Sequence, residues 1–142
     1  MRKALEKLIP DGKQRFAANF KSLEADLLAL DRKIEVQVQD KQAQPLVESH
    51  PVYDYFAGRY RPRIRSVLWE PDQHSPDRQW NALKELLKMH PVNWMIWEGN
   101  RRLQTVDRLK ALGVDSLVFD SCSSAPAEAD FLGVMARNVA NL

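Results

Sequence analysis

Val92-Asn-Trp-Met-Ile-Trp97-Glu98-Gly99 is the stretch that decides the fold of this chain. The run from 92 to 97 is apolar apart from one asparagine, which is typical of a parallel strand buried on both faces. It ends abruptly in Glu98 and Gly99, so the strand is predicted to stop there. A polar side chain is then expected at the carboxyl end of a buried strand.

The sequence on both sides of this strand alternates between short apolar runs and segments with helical spacing. Strands are also predicted at 46–49, 64–69 and 114–119, and helices at 52–60, from Ser75 onwards, at 103–112 and at 127–142. This alternation with short links is typical of a parallel sheet. The predicted fold class is α/β, with a four-stranded, mostly parallel sheet flanked by helices.

A long helix is predicted ahead of the sheet. Apolar residues recur there at steps of three or four, namely Phe16, Phe20, Leu23, Leu27, Leu30, Ile34 and Val38. This spacing predicts one helix over 13–39, about 40 Å long, after a short helix at 2–8. A helix of this length joins two bodies or forms a dimer contact. We therefore divide the chain into 1–42, carrying the helices, and 43–142, the α/β lobe.

An exposed apolar surface is expected along the long helix, beginning at Phe16 and Phe20. A helix that joins two bodies buries side chains against both of them, and an uncovered patch marks a partner. In the alternative arrangement, residues 2–8 cover Phe16 and Phe20 as a lid and both side chains belong to the domain core.

Composition excludes several classes of protein. The chain has 142 residues, 44% hydrophobic and 28% charged, which suits one globular domain. Its net charge of +2 does not favour nucleic acid as a partner. No apolar run is long enough for a transmembrane segment, and no signal-sequence pattern precedes the first helix. Cys122 is the single cysteine, so neither an internal disulfide nor a cysteine-based zinc site is expected. Glycine-rich phosphate loops and nucleophile elbows are absent from the sequence, so we expect no enzyme.

Candidate binding residues follow the predicted strands. His50 ends the first and Asp120 the last, and Glu98 ends the third. Because parallel strands present their carboxyl ends at one edge, these side chains are expected close together, where open α/β sheets bind ligands. An imidazole and a carboxylate there make half of a divalent-metal site. Cys122, two residues after Asp120, is a further candidate, and the alternative is that all of these residues only cap and pack.

The order of these motifs resembles that of a known family. The blocks that carry the resemblance are Ser-His-Pro-Val-Tyr-Asp-Tyr-Phe-Ala-Gly-Arg-Tyr (49–60), Trp-Glu-Pro-Asp…Ser-Pro (69–76), Trp-Met-Ile-Trp-Glu (94–98) and Ser-Leu-Val-Phe-Asp (116–120), after the long helix. Together they resemble the carboxy-terminal half of the zinc/manganese solute-binding proteins of ABC importers. The resemblance implies one lobe of a two-lobed periplasmic protein, with the long helix joining the lobes.

The resemblance also implies a ligand set. It makes His50 and Asp120 the two metal ligands of this lobe and two histidines from the missing amino-terminal lobe the others. Glu98 and Cys122 are supporting candidates from their positions in the sequence alone. Histidine at position 50 favours Zn²⁺ over Mn²⁺. The implied function is to capture the ion for an ABC permease. Two ligands leave half of a tetrahedral shell to water, so we expect this lobe alone to bind zinc weakly or not at all. The alternative function is a small α/β interaction or regulatory domain without a metal role.

Overall fold

The computed structural model describes residues 2–39, 41, 44–70, 72–125 and 129–142. A four-stranded sheet forms its centre, with the strands β1 (Leu46–Glu48), β2 (Ile64–Ser66), β3 (Trp94–Trp97) and β4 (Asp115–Val118). The order across the sheet is β2-β1-β3-β4, and every neighbouring pair is parallel. The predicted α/β fold with a parallel sheet is confirmed.

The helices match the predicted alternation. They are α1 (Arg2–Leu8), α2 (Lys13–Gln39), α3 (Asp54–Tyr60), α4 (Asp77–Met89), α5 (Leu103–Lys110) and α6 (Phe131–Asn141), and a 3-10 turn at Pro10–Gly12 leads into α2. The long helix runs unbroken over the predicted range. In the described ranges, no helix combines the length and the apolar character needed to cross a membrane.

Several predicted element boundaries were too wide. The strands are one to three residues shorter than predicted, although the backbone bond from the Val67 N–H to the Glu48 carbonyl, 3.0 Å, continues the pairing beyond β2. Helix α6 begins after Asp130, whose carboxylate accepts a 2.9 Å bond from the Gly133 N–H. The predicted start at residue 127 lies outside the described residues. Helix α4 follows Pro76, without a side-chain cap.

The sheet is covered on both faces, as a parallel sheet must be. One face packs a tryptophan-rich cluster against α4 and α5, made of Val47, Trp69, Trp80, Leu83, Val92, Met95, Trp97, Leu109 and Val114. The other face packs Tyr53, Ile96, Phe119 and Met135 together, and a neighbouring cluster joins Ile34 and Val38 of α2 to Val139 of α6. Opposite side-chain directions along β3 explain this division, since Met95 and Trp97 face one layer and Ile96 the other.

The two halves of α2 have different surroundings. Its buried residues, Ile34 and Val38, lie in the carboxyl-terminal half, where α2 contacts α3 and α6. In the amino-terminal half an apolar stripe of Phe20, Leu23 and Leu27 stays exposed, with Phe20 46% accessible. The expected exposed surface on the long helix is confirmed for Phe20 but not for Phe16, which is half-buried. The lid alternative is wrong for Phe20, because α1 packs beside α2 without burying it.

A polar cluster ties the middle of α2 to α3. Arg59 contacts the Asp31 carboxylate through two nitrogens, at 2.6 and 3.1 Å, and the Tyr60 hydroxyl donates to the same carboxylate at 2.7 Å. Hydrogen bonds from Arg59 and then Tyr60 lower the pKa of Asp31. The long helix is therefore fixed to the α/β lobe near its midpoint.

Replacing glycine by alanine is expected to have opposite effects on stability at Gly113 and Gly58. Gly113, in the turn after α5, has φ +78°, and an alanine there would be strained, so Gly113→Ala should destabilise the fold by about 1 kcal/mol. Gly58 lies inside α3 with open space around its Cα, so Gly58→Ala should stabilise it by about 0.5–1 kcal/mol. Chemical denaturation of both variants measures the difference. Equal effects would contradict the backbone assignment.

Candidate functional site

The parallel sheet brings three predicted site residues to its carboxyl edge. His50 lies two residues after β1, Glu98 directly after β3, and Asp120 two residues after β4. Strands β1 and β3 are neighbours, although β2 follows β1 in the chain, so the chain direction across the sheet reverses between β1 and β3. Open α/β sheets bind ligands in the crevice outside such a switch point. The three residues therefore follow strand ends at one edge, and the expected closeness of their side chains stays a prediction.

Backbone pairing positions His50. The adjacent Ser49 donates its N–H to the Ile96 carbonyl at 2.9 Å and accepts from the Trp69 N–H at 2.8 Å, so the chain is held from both sides. The His50 side chain is about one-third exposed. Its Nδ1 is buried without a hydrogen-bond partner among the described residues, whereas Nε2 lies 3.7 Å from Glu70 Oε1.

Asp120 is held by α6. Its backbone N–H donates to Asn138 Oδ1 at 2.9 Å, and Asn138 Nδ2 donates to the Asp120 carbonyl at 2.8 Å. The Asp120 carboxylate accepts a 2.8 Å bond from the Cys122 N–H. Asn138 is buried in α6, so a core residue sets the direction in which the chain leaves β4.

Negative charge converges near these strand ends. The Tyr53 hydroxyl donates to the Phe119 carbonyl at 2.6 Å, and its pKa is strongly raised by burial and then by the charges of Glu98, Glu48 and Asp120. The buried hydroxyl of Tyr53 is therefore close enough to three carboxylates, from three different strand ends, to be affected by their charge. Burial raises the pKa of Glu48 and disfavours its charged form, so the carboxylates that favour a cation at this edge are those of Glu98 and Asp120.

Cys122 adjoins the edge but has a different character. It is partly exposed and adopts a left-handed backbone with φ 53°. Burial, and then the charge of Asp120, raise the pKa of its thiol, so the thiolate form is disfavoured. Within the described ranges, no group of three or more His, Cys, Asp or Glu side chains is arranged to hold a metal ion. The ligand roles of His50 and Asp120, and the supporting roles of Glu98 and Cys122, stay predictions.

The two remaining histidines lie on either side of α4. His74 is exposed in the loop before α4, and His90 follows α4, where its Nε2 lies 3.2 Å from the Leu46 carbonyl at the start of β1. Leu46 belongs to the amino end of the sheet, opposite to His50. His90 therefore offers a control for histidine substitutions.

Sequence reasoning missed Glu70. This residue follows the segment 67–69, which continues the pairing of β2 with β1 and places Glu70 beside His50. The signal was present, since Glu70 directly follows the predicted strand 64–69 and obeys the same strand-end rule as the other candidates. The pairing of that strand with β1, rather than with β3, was the missing information.

Comparison with known proteins identifies a family for this chain. A sequence model of one family, described as the periplasmic zinc-uptake complex component A, matches residues 1–142. The chain belongs to this zinc-uptake component A family. The predicted family resemblance is confirmed, and the family is periplasmic. None of the curated proteins compared with the chain matches it.

Solved structures share the fold of this component A family member. The zinc-bound ZnuA-like domain of AdcA from Streptococcus pneumoniae is 24% identical with a TM-score of 0.85, and the match covers 98% of this chain and 55% of that one. The metal-dependent lipoprotein YcdH from Bacillus subtilis is 20% identical with a TM-score of 0.86 and the same coverage. A ZnuA structure is 19% identical with a TM-score of 0.72, covering 97% and 52%. The chain thus spans about half the length of the structures that it matches.

Proposed function

We propose that this chain binds a divalent metal ion, zinc in the first place, as cargo for an ABC importer. The observation that supports the proposal is the position of His50, Glu98 and Asp120 after three parallel strands, at the carboxyl edge of one sheet. The zinc-uptake family supports the same cargo. The family match does not favour an interaction or regulatory domain without a metal role.

The donor set suits zinc better than manganese. His50 offers the Nε2 atom of a partly exposed imidazole, and Asp120 offers a carboxylate on a chain fixed by Asn138. Imidazole suits zinc, whereas manganese favours oxygen ligands, so Mn²⁺ is the second candidate. We infer no catalysis, because the protein's task is to hold the ion and release it to a permease outside the cytoplasm.

The rest of the ligand shell is proposed to come from a second, amino-terminal lobe. Structural relatives are nearly twice as long as the matched region, and the apolar stripe of α2 (Phe20, Leu23 and Leu27) is a surface on which such a lobe can pack. The proposed division into 1–42 and 43–142 puts the helices between the lobes. The boundary at residues 42 and 43 lies outside the described residues.

Zinc titration of the chain tests the proposal. Followed by backbone-amide NMR, Zn²⁺ should bind weakly and shift signals near residues 49–51 and 119–122. His50→Ala and Asp120→Ala should each weaken binding by about tenfold or more, since each removes a metal ligand. His90→Ala, at the amino end of the sheet, is the matched control and should leave the affinity unchanged.

Two results would contradict the proposal. One is zinc binding that survives both His50→Ala and Asp120→Ala, which would place the ion elsewhere. The other is equal weakening by His90→Ala, which would mean that zinc binds histidines without a specific site. Circular dichroism of each variant shows that the fold is intact.

A further inference from the structure

Glu70 occupies a position beside the proposed metal-binding atom of His50. The exposed edge of the imidazole carries Nε2, and Glu70 Oε1 lies 3.7 Å from it, while Nδ1 is turned into the protein. This contact joins the end of β1 to the segment after β2, on the other side of β1 from Glu98 and Asp120. The Glu70 carboxylate is not one of the ligands named in the proposed function.

The distance between the two atoms is informative. At 3.7 Å it exceeds the usual length of a hydrogen bond between nitrogen and oxygen. Two ligand atoms on one tetrahedral zinc ion are about 3.4 Å apart, as follows from metal–ligand distances of about 2.0–2.2 Å. The separation of Nε2 and Oε1 is therefore too long for a direct hydrogen bond and is compatible with two ligands of a shared cation.

Backbone hydrogen bonds hold Glu70 close to His50. The Trp69 N–H donates to the Ser49 carbonyl at 2.8 Å, so the residues before Glu70 and His50 are paired. Trp69 itself is buried in the tryptophan-rich cluster, and this packing holds the segment 67–69 against the sheet. The Glu70 side chain is about half exposed, and in the described part of the chain its one ion-pair partner is His50.

We propose that Glu70 is a direct carboxylate ligand of the divalent cation, paired with His50, and that this pair makes the first contact with the incoming ion. The inference rests on the proposed function. No third donor lies within reach of the pair in the described structure. Because a tetrahedral shell holds four ligands, Glu70 leaves the ion when Asp120 and two donors from another lobe complete the shell with His50. The Glu70 carboxylate adds a negative charge that attracts the incoming cation.

Affinity measurements separate this inference from the proposed function. With Zn²⁺ as the probe, Glu70→Gln should weaken binding by about tenfold, as loss of a ligand does, while Asp72→Asn in the same loop removes an equal charge and should change it less than about twofold. If His50→Ala weakens binding but Glu70→Gln does not, Glu70 is no ligand and the proposed function stands. If neither does, both fail. Equal weakening by Glu70→Gln and Asp72→Asn would overturn direct ligation in favour of a long-range field.

A spectroscopic variant tests the contact directly. In a Cys122→Ser background, Glu70→Cys should give a thiolate–cobalt charge-transfer band in the near ultraviolet when Co²⁺ is added, because the sulfur takes the place of the carboxylate. Asp72→Cys in the same background is the control and should show no such band. A band in neither variant, or an equal band in both, would overturn the ligand role of Glu70.

Discussion

We expect Trp80→Ala to lower the free energy of unfolding by about 3–5 kcal/mol, the usual cost of removing a buried large aromatic side chain. Trp80 is 2% exposed in α4, and its ring centroid lies 4.6 Å from that of Trp69. Its Nε1 donates to the Ser75 carbonyl at 3.0 Å, and the Arg108 guanidinium lies 4.3 Å above the ring. The substitution removes all of these contacts and leaves a cavity that the neighbouring side chains cannot fill.

Urea denaturation measures this loss, and Tyr55→Ala is the control. Tyr55 is an aromatic helix residue like Trp80, but it is 95% exposed, so its removal should change stability by less than about 0.5 kcal/mol. Similar losses in both variants would mean that α4 does not pack on the sheet as described. Because Trp69 precedes Glu70, Trp80→Ala should also loosen the segment that carries that carboxylate.

Asn138→Ala should destabilise the protein by about 2–3 kcal/mol, because it leaves partly buried backbone groups without partners. Asn138 is 3% exposed and makes a reciprocal pair of hydrogen bonds with the N–H and the carbonyl of Asp120. Alanine keeps the helix but supplies neither a donor nor an acceptor. Since the same bonds fix the chain at Asp120, zinc affinity should fall together with stability.

Asn141→Ala is the matched control for this substitution. Asn141 lies in the same helix and donates one exposed bond, 2.8 Å, to the Val118 carbonyl. Its loss leaves a carbonyl that water can reach, so the change should stay below about 1 kcal/mol, without an effect on zinc. Thermal or urea unfolding compares the two. Equal destabilisation by both would show that the two hydrogen bonds between Asn138 and Asp120 contribute no more to stability than the exposed bond of Asn141.

Periodicity in the sequence was sufficient to predict which helices and strands form. The apolar steps from Phe16 to Val38 predicted the full length of α2, and the apolar run before Glu98 predicted β3, because both patterns are local and repeat with the period of their element. Boundaries were less accurate. Segments such as 67–69 keep strand-like hydrogen bonds beyond the regular ladder, so their apolar pattern extends further than the strand itself.

The sequence by itself determined that His50 and Asp120 follow parallel strands, and hence that they share one edge of the sheet. Only the tertiary structure decided which side chains meet there. The contact of His50 with Glu70 depends on β2 pairing with β1, and the support of Asp120 depends on Asn138 of α6 packing beneath β4. Strand order and helix docking arise from burial across distant segments, and alternation along the chain does not specify them. The same holds for α2, where the surrounding lobe, and not the uniform apolar spacing, decides that Ile34 is buried and Phe20 exposed.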